Sequence, residues 1–116
     1  MPDAPCLFCG IAIKDVPATR LYEDDEVLAI RDIAPKAPTH ILLIPRRHIA
    51  SALELTDADG PLLGRMFAVA ADLARSEGIA EDGYRLISNV GRWGGQSVDH
   101  LHLHLMGGRA FEWPPG

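Results

Sequence analysis

The segment DHLHLHLMGG, Asp99 to Gly108, sets three histidines in alternation with three leucines. Side chains two apart on a strand share a face, roughly 6.6–6.8 Å from one another. The segment therefore predicts a strand over Val98–Met106. Leu101, Leu103 and Leu105 turn into a core, and His100, His102 and His104 line the opposite face. A chain that must bury one side of such a strand needs partner strands beside it and a layer to cover it.

The remaining sequence offers both. RLYEDDEVLAIR, residues 20–31, reads as two strands around the acidic bend Glu23-Asp24-Asp25-Glu26. Pro35 and Pro38 make Asp32 to Thr39 an irregular connection, because proline fixes φ and pushes the preceding residue away from helix. HILLI, His40 to Ile44, is then a short buried strand bounded by Pro45. Thr56 and Asp59 form a capping box for a helix over residues 57–77, with Pro61 in its first turn and Gly78 beyond its end. Leu62, Leu63, Met66, Phe67, Ala70, Leu73 and Ala74 give it an apolar face, and Arg65, Asp72 and Arg75 face water. YRLISNV, Tyr84 to Val90, alternates as a further strand and leads into the glycine-rich loop Gly91 to Gln96. A helix lying across an antiparallel sheet is an α+β arrangement.

A length of 116 residues suits a single domain, 1–116. No apolar run approaches the roughly 20 residues of a membrane span, and MPDAPCLFCG has neither the basic start nor the apolar stretch of a secretory signal. The expectation is a cytoplasmic protein with no membrane partner. A net charge of -5 opposes general affinity for the phosphates of a nucleic acid. A small phosphorylated ligand is compatible with it, since backbone amides bind such anions without net positive charge.

On a strand the three histidines span about 13 Å, so one zinc with bonds near 2.0–2.1 Å can take two adjacent members but not all three. The alternative is catalytic, with the middle imidazole as nucleophile and its neighbours orienting it and handling protons. Gly91, Gly94, Gly95, Gln96 and Ser97 stand directly before the histidines. Glycine there lets backbone amides approach an anion, which favours phosphorus as the electrophile. Asn89 is a further donor at the end of the preceding strand. Cys6-Leu-Phe-Cys9 has a spacing used for metal or redox chemistry.

Taken together, HLHLHLM, Asp32-Ile33 followed by PKAPTHILLIPRRH, SNVGRWGGQSVDH and the terminal GGRAFEWPPG resemble the histidine triad (HIT) family, in particular its nucleoside phosphoramidase branch. The resemblance implies a five-stranded antiparallel sheet with one long and one short helix, pairing in a homodimer into a ten-stranded sheet. It implies hydrolysis of adenosine or guanosine 5′-phosphoramidates through a nucleotidyl-histidine, with no cofactor required for catalysis. His102 is then the nucleophile, His104 and Ser97 protonate the leaving amine, and His40 is a flanking catalytic histidine. Asp32 accepts the ribose hydroxyls and Ile33 lies near the base. Asn89, Gly95, Gln96 and Ser97 belong to the phosphate and leaving-group side. Trp113, in the tail 109–116, reaches towards the partner subunit's site. Histidine at the third triad position separates the chain from a transferase branch that carries glutamine there. Cys6, Cys9, His48 and His100 match a structural zinc site of some relatives. Two other activities fit the family, a nucleotide-binding regulator or scaffold and a dinucleoside polyphosphate hydrolase.

Overall fold

Five strands build one antiparallel sheet in the order β1-β2-β3-β5-β4. They are β1 (Arg20–Glu23), β2 (Val27–Arg31), β3 (Thr39–Pro45), β4 (Tyr84–Ile87) and β5 (Leu103–Gly107). Two helices accompany them, α1 (Leu7–Ala12) and α2 (Gly60–Ser76). This is a computed structural model, and it describes residues 6–116.

The sheet is covered on both faces, which accounts for the unbroken apolar runs of β2 and β3. Val27, Ala29, Ile41, Leu43, Leu103 and Leu105 pack against Leu62, Met66, Val69, Ala70 and Ala74 of α2. On the other face Leu28, Ile30, Leu42 and Ile44 pack against Phe8, Ile11 and Ala12 of α1. Burying each large aliphatic side chain in this way contributes about 1.5–3 kcal/mol. Pro45 closes the central strand at a position where β5 no longer pairs with it, so its missing N–H interrupts no ladder.

The acidic bend is a turn between β1 and β2, closed by Asp24, whose Oδ1 accepts the amides of Glu26 and Val27 at 2.8 and 2.7 Å. Thr56 N–H donates to Asp59 Oδ2 at 2.9 Å, the capping interaction expected at the start of the long helix. A single 3-10 turn, Asp57–Asp59, precedes the α-helix proper. Phe67 is half exposed, and Val69 takes its place in the core. At 100° per residue Val69 lies nearer the centre of the stripe than Phe67 does.

The histidine segment departs from expectation. The final strand begins at Leu103 rather than Val98, and β4 stops at Ile87 rather than Val90. Residues before Leu103 bond instead to the chain leaving β3. Leu101 N–H donates to the Ile49 carbonyl at 2.6 Å, and His100 Nε2–H donates to the Pro45 carbonyl at 2.8 Å. The leucines face the core as expected, and the histidine face is covered as well. His100 and His102 are buried because α1 lies over them.

Candidate active site

Each triad ring is held by a partner that determines which nitrogen carries the proton. The His102 Nδ1 lies 2.7 Å from the His100 carbonyl oxygen, which can only accept. A neutral His102 therefore presents the lone pair of Nε2. Lys36 N–H donates to His40 Nδ1 at 3.0 Å, which places the His40 proton on Nε2. That nitrogen faces His104 Nδ1 at 2.8 Å and Asp32 Oδ2 at 3.4 Å. His104 Nδ1 thus accepts, and its own proton sits on Nε2. Burial pushes the His104 pKa down to about 4, with His102 and His40 adding to the effect and Asp32 opposing it. Burial also lowers His40, against the pull of Asp32 and with help from Lys36. Both rings are neutral at pH 7.

His102 and His104, 5.0 Å apart between ring centroids, line a cleft of about 240 Å³. Asp32 and Ile33 from the end of β2 lie on its rim, and Ser97 from the glycine-rich loop lies on the triad side. Most of the remaining lining is apolar, and much of it comes from residues outside the motifs, namely Leu7, Phe8 and Ile11 of α1 with Val16, Pro17 and Ala18 beyond it. The one signal for them in the sequence is a cluster of apolar residues around the cysteine pair. A mostly apolar cleft with a few polar groups, Asp32, Ser97, His102 and His104 among them, suits a ligand with a flat apolar group joined to an anion.

The glycine-rich loop is braced from within. Asn89 Nδ2 donates to the Gly94 carbonyl at 2.6 Å. Gln96 donates from Nε2 to the Ala50 and Val98 carbonyls, and its Oε1 accepts the Gly91 amide. Gly95 has φ of +79°, which glycine adopts without strain. Asn89, Gly95 and Gln96 therefore shape the loop that presents Ser97, and they are not among the residues lining the cleft. Trp113 is 82% exposed, and the tail before it packs on β4 through Phe111, which lies under the guanidinium groups of Arg85 and Arg109. His40 stands behind the cleft, acting on it through His104 and Asp32.

Beside the cleft, Cys6, Cys9, His48 and His100 converge, with one donor atom from each lying within 4.8 Å of the others. Cys6 Sγ is 3.2 Å from His100 Nδ1, and Cys9 Sγ is 3.3 Å from His48 Nδ1 and 3.5 Å from His100 Nδ1. Tetrahedral zinc with Zn–S near 2.3 Å and Zn–N near 2.0–2.1 Å places sulfur and nitrogen about 3.5 Å apart. The donor set fits that geometry. Because His100 Nε2–H is engaged with Pro45, its Nδ1 lone pair faces the sulfurs, the orientation that a ligand needs. Burial and the adjacent Cys6 sulfur push the Cys9 thiol up to about 11.

Residues 14–111 match the HIT domain family. The chain belongs to that family. A purine nucleoside phosphoramidase of Escherichia coli K12 is 52% identical over 103 residues, covering 89% of this chain and 87% of that protein. A HIT-like protein of Synechococcus elongatus is 49% identical over 110 residues, 95% of this chain and 96% of its own length. Among solved structures, a HIT family hydrolase from Legionella pneumophila superposes with a TM-score of 0.95 at 53% identity, covering 97% of this chain and all of that one. The five-stranded sheet with one long and one short helix is the HIT fold.

Proposed function

We propose that this HIT protein hydrolyses the P–N bond of purine nucleoside 5′-phosphoramidates, releasing the nucleoside monophosphate and an amine. The observation that carries the reading is His102, fixed by the His100 carbonyl so that its Nε2 lone pair is free in a cleft that also holds Ser97 and Asp32. The 52% identity to a purine nucleoside phosphoramidase supports the choice of substrate class.

The roles follow from the chemistry of each group. His102 Nε2 attacks phosphorus, forming an N–P bond as the P–N bond to the amine breaks. The departing nitrogen takes a proton through Ser97 from His104, which binds a proton from solvent once the anionic substrate stands beside it. Water then attacks the phosphorus of the nucleotidyl-His102 intermediate, its proton passes through Ser97 and His104 to solvent, the N–P bond breaks, and His102 returns to its starting tautomer. The amides of Gly91, Gly94, Gly95 and Gln96 bond within the loop, so the loop acts by holding Ser97 at the cleft. Asp32 accepts both ribose hydroxyls. Its Oδ1 already takes the Ala34 amide at 2.8 Å, and a carboxylate retains lone pairs for more donors. Ile33 and the apolar wall receive the base.

Cys6, Cys9, His48 and His100 would hold a structural zinc, which ties α1 to the chain before β5, and no step of the hydrolysis passes through it. Among the described residues no strand pairs with the outer edge of β4, which supports a homodimer joined edge to edge into a ten-stranded sheet. In that dimer the tail 109–116 brings Trp113 towards the partner's cleft. Among the described residues no helix is long and apolar enough to cross a membrane, and a cytoplasmic location without nucleic-acid partners accords with the acidic charge.

The test is a comparison of steady-state hydrolysis of adenosine 5′-phosphoramidate, guanosine 5′-phosphoramidate and a diadenosine polyphosphate. Higher kcat/KM on the phosphoramidates supports the reading, and preference for the dinucleotide replaces it with a polyphosphate hydrolase.

A further inference from the structure

α1 has six residues, far fewer than the roughly 12–15 at which an isolated helix becomes even marginal in water. Its order depends on what it touches. From its N-terminal end Cys6 and Cys9 reach His100 and His48. Its other side chains, Phe8 and Ile11, form the floor of the cleft. The outer wall of the cleft hangs from the same helix, because the amides of Asp15 and Val16 donate to the Gly10 carbonyl at 2.9 and 3.2 Å. A Cβ on Gly10 would stand 3.0 Å from Val16 Cγ2, so helix and wall are in close contact.

Phe8 connects the two sites directly. Its ring stands edge-on to His100 with centroids 6.0 Å apart, and edge-on to His102 with centroids 5.0 Å apart. One of those imidazoles faces the cysteine sulfurs and the other faces the cleft. The His100 backbone carbonyl, which orients His102, makes a second connection between them.

We propose that cation binding at Cys6, Cys9, His48 and His100 and nucleotide binding in the cleft are thermodynamically coupled through α1, with Phe8 as the linking side chain. The proposal rests on the nucleotide reading of the cleft. Each ligand needs the same short helix in place, so the ligand that binds second meets a helix already ordered and its affinity rises. Linkage requires the same factor in both directions, and typical couplings lie at about 5- to 150-fold. Loss of the cation, by chelation or by oxidation of the cysteines, then lowers nucleotide affinity without removing any residue from the cleft.

The experiment uses the full chain. Its zinc affinity is measured by chelator competition with and without saturating adenosine monophosphate, and its adenosine monophosphate affinity is measured by calorimetry with and without zinc. The expected result is that each ligand tightens the other by the same factor, about fivefold or more. Phe8→Leu, with zinc binding and circular dichroism retained, brings the factor towards one. Affinities that are independent of each other in the wild-type chain overturn the coupling, as does a chain that binds no zinc. Failure of the zinc-loaded chain to bind adenosine monophosphate at all overturns the nucleotide reading instead, so the two failures are distinct.

Discussion

The His40 Nε2 lies 2.8 Å from the His104 Nδ1, in a pair of rings that are neutral at pH 7. With His40 Nδ1 occupied by the Lys36 amide, the proton between the rings belongs to His40, and His104 keeps its own proton on the far nitrogen. A backbone amide thus sets the tautomer of a ring two hydrogen bonds away.

The depressed pKa of His104 has a consequence for stability. Its folded value, about 4, lies below the ordinary value of 6.5, so between these pH values the unfolded chain binds the extra proton. The contribution is fully present above about pH 6.5 and is lost as pH falls towards 4. The groups that face the ring are His40, His102 and Asp32. Urea midpoints at pH 7 and pH 5 should differ less in His104→Gln than in the wild type, by on the order of 1 kcal/mol. Equal pH dependence in the two proteins contradicts the assignment.

Gly94 has no room for a side chain, since a Cβ there would collide with the Val90 carbonyl oxygen. Gly94→Ala should displace the loop that presents Ser97 and lower kcat roughly 10- to 100-fold, in line with the cost of small misplacements at a reacting centre. Gly60→Ala, at a position with nothing within 4 Å of the added carbon, is the control and should leave kcat unchanged. Parallel behaviour of the two variants removes the loop from the mechanism.

Asp32 stands at the cleft rim with one oxygen 3.4 Å from His40. Loss of hydrogen bonds to a charged acceptor costs about 1.5–3 kcal/mol each, so Asp32→Ala, which removes two, should weaken adenosine monophosphate binding roughly 100-fold or more. Calorimetry measures this, and an unchanged Kd excludes the ribose contact.

Protein purified without chelator should carry about one zinc per chain, because structural sites bind tightly. Metal analysis decides the matter, and less than about 0.2 equivalents rules the site out. Where zinc is present, Cys9→Ser and chelation should both lower the Tm.

The parts of the fold written in local sequence were legible there. The Asp24 turn, the Thr56–Asp59 cap and the buried run through β3 each depend on residues a few positions apart. Leu101, Leu103 and Leu105 likewise announced the core side of the triad. What the pattern did not reveal was α1, a six-residue helix with too few turns to display a period. The family resemblance implies a short helix but not where it packs, and Phe8 of that helix with the cysteines covers the histidine face. The early end of strand pairing was equally hidden, because it depends on Ile49 and Pro45 bonding to residues more than fifty positions away. For the cleft, Ser97, His102 and His104 came from the motif, Asp32 from the family resemblance, and the apolar wall only from the fold.

The most direct measurement of the account is turnover of adenosine 5′-phosphoramidate by His102→Ala, with adenosine monophosphate binding measured on the same protein. The predicted result is a loss of kcat of about 10⁴-fold or more, as for removal of other covalent nucleophiles, with binding retained. Turnover within about tenfold of the wild type, on a variant that still binds the nucleotide, contradicts the assignment of His102 as nucleophile.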